Sequence, residues 1–224
     1  DKPRDPEKVR MKFVSLESVV VPDDWDVIAG ADTGTYMSGV IGAIPPEDEP
    51  PIYILEEFPN YHYVGGQIEL TGLTVRRWME HFGQRLQHHS RSQTVFAWVD
   101  RNTTFTQEVS EGLAFERNFI HLELRTEITR EYFQAGRIFL APWLTILPYE
   151  LEYATWPDEA TPGGRFTRRK RHDHTLDCLE HVASQRPIST HDRKEGPSKF
   201  LDRYLAENKK QVEGRRKDVH LGDA

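Results

Sequence analysis

Asp173-His174-Thr175-Leu176-Asp177 places two carboxyls and an imidazole within five residues, running into the apolar stretch Leu176 to Ala183. At helical spacing Asp173 and Asp177 are i and i+4, and His174 and Asp177 are i and i+3, so all three can crowd one side of a first turn. Clustered carboxylates repel one another, more so as water is excluded, unless a proton or a divalent cation intervenes. The chemistry this suits is the binding of a divalent metal ion, of which these residues look like half a site. A plainer reading stands beside it: acids at the head of a helix are favoured by capping and by the helix dipole without any further role.

Two more acids strengthen the first reading. The run Trp25-Asp-Val-Ile-Ala-Gly-Ala-Asp32 ends on a carboxylate, turns at Thr33-Gly34 and resumes as the small-residue strand that reaches Ile44. This is a strand, a tight turn and an antiparallel return, and it leaves Asp32 at the margin of a sheet core, a poor place for an unpaired charge. Thr94-Val-Phe-Ala-Trp-Val-Asp100 is a second short apolar run that finishes on an acid. Both acids fall at the carboxyl ends of strands, where open α/β sheets place their chemistry.

The elements that must position these residues follow from periodicity. Strands are expected at 25–32, 36–44 and 52–58, with the proline-rich turn 45–51 between the last two. Apolar residues from Leu70 to Leu86 recur at helical spacing and predict a helix over 67–89. A strand at 94–99, a helix at 106–114, a strand at 118–124, a helix at 126–135, an apolar piece at 137–141, a helix at 147–154, a loop at 157–164 and the acid-bearing helix at 173–185 complete the order. Three strands in a meander followed by alternating helices and strands predict an α/β fold, a mixed central sheet flanked by helices. Residues 1–18 read as a linker, 19–185 as the catalytic domain, and 186–224 as a charged tail with a short helix at 198–212.

Composition narrows the function. The 224 residues carry a net charge of −7, which argues against a protein that coats nucleic acid by bulk electrostatics. The charge is uneven, because residues 186–224 hold ten Lys and Arg against seven Asp and Glu, leaving the acidity in residues 1–185. Arg165-Phe-Thr-Arg168-Arg169-Lys170-Arg171 is a local basic stretch just before the acids. It suits a polyanion whose phosphate is held beside metal ions, and equally a solvated loop. The one cysteine, Cys178, rules out an intramolecular disulfide framework and reads as a small apolar filler. No window approaches eighteen apolar residues and no signal peptide is visible, so no membrane association is expected.

This order of parts resembles a ribonuclease-H-like nuclease, and more narrowly the C-terminal nuclease domain of the large terminase subunit of tailed double-stranded DNA phages. The resemblance rests on Gly30-Ala-Asp32-Thr-Gly34, Val95-Phe-Ala-Trp-Val-Asp100 and His172-Asp-His-Thr-Leu-Asp-Cys178, with Phe133 to Phe139 and Leu151-Glu-Tyr153 leading into the last helix. It covers about residues 20–185. It implies an antiparallel three-strand meander followed by parallel strands, and a metal-dependent endonuclease that cuts concatemeric double-stranded DNA during genome packaging. Asp32 and Asp100 carry over as ligands of two Mg²⁺ or Mn²⁺ ions. Asp177 with His174 leads the helix contribution, with Asp173 close behind. Arg168, Arg169, Lys170 and Arg171 are the candidates for holding the DNA backbone. The implied partners are the ATPase motor domain of the same full-length protein, the small terminase subunit and the portal, in the host cytoplasm. No Gly-x-x-x-x-Gly-Lys-Ser/Thr phosphate loop occurs in the chain. The linker at 1–18 is accordingly expected to lead from a motor not included in this sequence.

Other readings are open. Asp32-Thr33-Gly34 matches the aspartic protease signature, but that chemistry needs a second such motif or a homodimer, and no second motif is present. An actin-like or sugar-kinase-like phosphotransferase, or a non-catalytic docking module of a packaging motor, would also use parts of this pattern. His81, His88 and His89 read as an exposed polar helix face, and Trp78 and Trp98 as core.

Overall fold

The computed structural model describes residues 19, 21–46, 50–90, 95–100, 106–154 and 173–185, the side chains of 106, 108, 110 and 111 excepted. All of them lie within the unit Asp1–Pro187. The expected linker at 1–18, the loop at 157–164, the basic stretch 165–171 and the tail 186–224 with its helix at 198–212 fall outside the described residues.

Along the chain run β1 (Asp26–Thr33), β2 (Met37–Ile44), β3 (Ile52–Glu57), β4 (Tyr61–Val64), β5 (Gln67–Leu70), α1 (Val75–His89), β6 (Val95–Asp100), α2 (Thr106–Leu113), β7 (Glu116–Asn118), α3 (Leu122–Gln134), β8 (Ile138–Leu140), α4 (Ile146–Tyr153) and α5 (His174–Gln185). Six strands form one sheet in the order β7-β6-β1-β2-β3-β8, and β4 and β5 pair separately. β1, β2 and β3 form an antiparallel meander, whereas β6 runs parallel to β1, β7 to β6, and β8 to β3. This is the mixed sheet expected, a meander extended on both sides by parallel strands.

The central strands are buried on both faces, which explains their near-continuous apolar sequences. Val27, Ala29 and Ala31 of β1 join Ile41, Ala43, Tyr53 and Leu55 in a core with Trp78, Phe82 and Leu86 of α1. Burying Phe82 alone is worth roughly 3 kcal/mol. A Cβ at Gly39 would lie 2.8 Å from the Phe82 ring, so glycine is what lets β2 receive this helix. The Trp78 indole N–H donates to the Phe58 carbonyl at 2.6 Å, satisfying its polar end inside the core.

A register shift opposite Ile41 and Gly42 sorts the end of β3. Leu55 and Glu56 both serve α1, the latter accepting from the Arg85 guanidinium at 2.5–3.0 Å and pairing with the His89 ring. Burial resists ionisation of Glu56, but His89 and Arg85 together hold its carboxyl below the usual range. Glu57 serves the other layer, accepting the backbone N–H groups of Thr145, Ile146 and Leu147 at 2.6–2.8 Å and so capping α4.

Three sequence expectations are corrected. The helix expected over 67–89 begins only at Val75, because Gly65 and Gly66, at φ 56° and 79°, turn a hairpin between β4 and β5. Thr74 then caps α1, its side chain accepting from the Arg77 N–H at 3.4 Å. The strand expected at 118–124 stops at Asn118, whose side-chain oxygen accepts the Ile120 N–H at 2.9 Å and turns the chain into α3. His89, expected on an exposed face, is 3% exposed, and its carboxylate partner is Glu56 from a distant strand.

Candidate metal centre

Parallel pairing of β1 with β6 brings two of the acids to one edge of the sheet. The register aligns Ala31 with Val99, so Asp32 and Asp100, the next residues, end neighbouring strands on the same side. α5 then packs on β1, β2 and β6. Its approach is unusually close: a Cβ at Gly30 would sit 2.3 Å from the Cys178 carbonyl oxygen. The Asp32 N–H donates to Cys178 Sγ at 3.1 Å, and that thiol donates to the His174 carbonyl at 3.1 Å. Cys178 is therefore more than filler, since it fastens the helix to the strand one residue from the catalytic candidate Asp177. Burial, with Asp32 and Asp177 close by, pushes its thiol well above the ordinary value, so it stays protonated and able to donate.

The first turn of α5 faces Asp32. His174 Nδ1 lies 2.9 Å from Asp32 Oδ2. Burial, reinforced by Asp177 and Asp100, pushes the Asp32 carboxyl above its usual range, while the His174 imidazole pulls the other way. Burial also disfavours a charged His174, yet Asp32, Asp173 and Glu150 outweigh it and raise the imidazole. Asp173 stands just ahead of the helix, its carbonyl accepting the Asp177 N–H at 2.7 Å, and its charge acts on His174 and Tyr63. Asp32, Asp100, His174 and Asp177 thus form one electrostatic cluster, with Asp173 on its His174 side. Arg168, Arg169, Lys170 and Arg171 lie outside the described residues.

The donor set fits a hard divalent cation, being carboxylate oxygen with one imidazole. Among the described residues no three His, Cys, Asp or Glu side chains are already gathered as a metal cage. Within the chain itself, the imidazole of His174, made more basic by the acids around it, offers them a positive partner when protonated.

Sequence reasoning passes over Glu150. It is fully buried on α4 and accepts the Tyr61 hydroxyl at 2.7 Å, the Tyr63 hydroxyl at 2.8 Å and the Leu176 N–H at 2.8 Å. The available signal is a lone acid three residues after the buried Leu147, on the apolar face of a short helix. Burial drives its carboxyl up to about 7 against these three hydrogen bonds. A folded value above the ordinary 4.5 means that the native state holds the proton more tightly, so stability falls as pH rises from 4.5 through 7 and then levels. In chelator, the parent chain is expected to lose about 3 kcal/mol more than Glu150→Gln between pH 4.5 and 8, read by urea unfolding. Equal losses in the two proteins would refute a buried, proton-hungry Glu150.

The sheet order is that of a mixed α/β fold, an antiparallel meander extended by parallel strands and flanked by helices, as anticipated above. No family model matches the sequence, and no curated protein matches it. Solved structures share its fold. The large terminase from a thermophilic bacteriophage superposes with a TM-score of 0.54 over 77% of this chain and 43% of that one, at 15% identity. The complex of that terminase with ATP-gamma-S gives 0.53 over 76% and 43%, again at 15% identity. The P22 large terminase nuclease domain aligns over 79% of this chain and 90% of that one, at 13% identity and a TM-score of 0.49. The chain spans less than half the length of the thermophilic phage's terminase. The fold is thus that of a part of a phage large terminase.

Proposed function

We propose that this chain is the metal-dependent endonuclease domain of a viral DNA-packaging terminase, cleaving concatemeric double-stranded DNA by phosphodiester hydrolysis. The observation that carries the reading is the contact of Asp32 with His174 on the first turn of α5, with Asp100 at the end of the parallel neighbouring strand and Asp177 close enough to act electrostatically on Asp32. The likeness of fold to phage large terminases supports it.

Asp32, Asp100 and Asp177 would hold Mg²⁺ or Mn²⁺, with Asp173 as a further oxygen donor and His174 as ligand or phosphate contact. Two bound ions of this kind supply an activated water and stabilise the leaving 3′ oxygen of an in-line displacement. The chain's own contribution is placement: β1 and β6 fix two carboxylates, and the tight packing permitted at Gly30 fixes the third. Arg168, Arg169, Lys170 and Arg171 would grip the backbone phosphates, giving salt-dependent affinity with little base readout. In this reading the partners are the ATPase motor of the full-length protein, the small subunit and the portal, and the work is done in the host cytoplasm. Among the described residues no helix is long and apolar enough to cross a membrane.

Incubation with supercoiled plasmid is expected to give nicked and linear products with Mn²⁺ or Mg²⁺ and none with chelator. Undiminished cutting in chelator, or no cutting by the folded chain with either ion, would overturn the assignment.

A further inference from the structure

We propose that Glu150 is a positioning residue for the metal centre: it pins the first turn of α5, through Leu176 and Thr175, in the place where His174 meets Asp32 and Asp177 acts on it. The inference rests on the metal-centre reading above and adds to it a residue that contacts neither ion nor substrate.

The geometry is a closed chain of hydrogen bonds around one helix turn. Glu150 Oε2 accepts the Leu176 N–H at 2.8 Å, one of the N–H groups that a helix start leaves without an intrahelical partner. Glu150 Oε1 accepts the Tyr61 hydroxyl at 2.7 Å, and the same hydroxyl lies 2.8 Å from Thr175 Oγ1. Thr175 Oγ1 in turn lies 2.7 Å from Ser38 Oγ on β2, and Ser38 is the strand partner of Asp32. The residues between His174 and Asp177 are therefore tied on one side to the strand that flanks Asp32 and on the other to α4. All of these groups are buried: Ser38, Thr175 and Glu150 at 0% exposed, Tyr61 at 1%.

Burying a carboxylate here is costly, and an apolar residue would fill the space between α4 and α5 at less expense. What an apolar residue cannot do is fix rotation of the α5 head about its axis, because packing alone tolerates small turns that hydrogen bonds to a backbone N–H do not. A rotation of one residue's worth would swing Asp177 away from Asp32. Groups that orient metal ligands without touching the ion typically change metal affinity by 10–100-fold when removed. Glu57 extends the argument one step, since it caps α4 and so holds the element that carries Glu150.

The test combines Mn²⁺ titration calorimetry with amide hydrogen exchange in chelator, on the parent chain, Glu150→Gln and Tyr61→Phe. Gln keeps the volume and the acceptor for the tyrosines but sets an amide NH₂ or a flipped side chain against the Leu176 N–H. Tyr61→Phe keeps Glu150 and its bond to Leu176 while deleting the bridge to Thr175. Glu150→Gln is expected to weaken Mn²⁺ binding about tenfold and to speed exchange at Leu176 about tenfold, with exchange in α1 and β6 unchanged. Tyr61→Phe is expected to change both in the same direction by a smaller factor, and it decides the matter alone if the Gln variant does not fold. Folded variants with parental Mn²⁺ affinity and parental exchange at Leu176 would overturn the positioning role. A folded parent chain that takes up no Mn²⁺ would instead overturn the metal-centre reading, and local exchange at Leu176 would still report whether Glu150 holds the turn.

Discussion

Asp32→Asn is expected to lower metal-supported DNA cleavage by about a thousandfold or more, the scale seen when a principal electrostatic element of a hydrolytic site is removed. The same change should leave the chain folded and, in chelator, at least as stable as the parent. Asp32 is buried beside Asp177 and Asp100, and its carboxyl is driven above the usual range by that burial and repulsion. An amide of the same shape removes one of the crowded charges and can still accept from the His174 ring through its oxygen. Gain or retention of stability with loss of activity marks a residue kept for function at a cost to the fold. Plasmid nicking within tenfold of the parent, measured in Mn²⁺ at matched protein concentration, would remove Asp32 from the centre.

Gly30→Ala should do the opposite kind of damage. Alanine ordinarily gains about 0.5–1 kcal/mol over glycine inside a regular element. Here its Cβ would fall 2.3 Å from the Cys178 carbonyl oxygen, with the carbonyl carbon and Val182 Cγ2 both at 3.1 Å. The obstacle is backbone, which cannot rotate aside as a side chain can, so α5 must withdraw from β1. Overpacking of this kind costs about 3 kcal/mol or more, which for a chain of this size lowers the unfolding midpoint by roughly 6–12 °C. Because α5 carries His174 and Asp177, Mn²⁺ affinity should fall with it. A calorimetric midpoint within roughly 2 °C of the parent would show that the helix is not held as closely as the structure has it.

The parts of this site that can be read in the sequence are those announced by local pattern. An apolar run that ends on an acid marks Asp32 and again Asp100, and the structure puts both at one sheet edge because β1 and β6 are parallel neighbours. Acids at helical spacing mark Asp173, His174 and Asp177. What local pattern misses depends on contacts between distant segments. Glu150 sits among Tyr149, Glu152 and Tyr153 and looks like one more surface acid, yet it is buried by Tyr61 and Leu176, 89 and 26 residues away. His89 defeats the pattern for the same reason, as its partner Glu56 is 33 residues distant on another strand. The hairpin at β4 and β5 is a local failure: Gly65-Gly66 is a turn signal, but the apolar spacing that continues from Leu70 to Leu86 carries the predicted helix too far forward.

Alternation along the end of β3 makes two identical neighbours serve as opposite anchors, and the register shift just before them sets which of the two faces α1. Glu56 reaches through one side of the sheet to Arg85 and His89, and Glu57 through the other to the head of α4. A slip of a single residue in this strand would aim both glutamates at the wrong layers and unfasten α1 and α4 together. Since α4 bears Glu150, an error made in β3 would arrive at the acid cluster as a loosened helix, which makes β3 a rivet joining the scaffold to its chemistry.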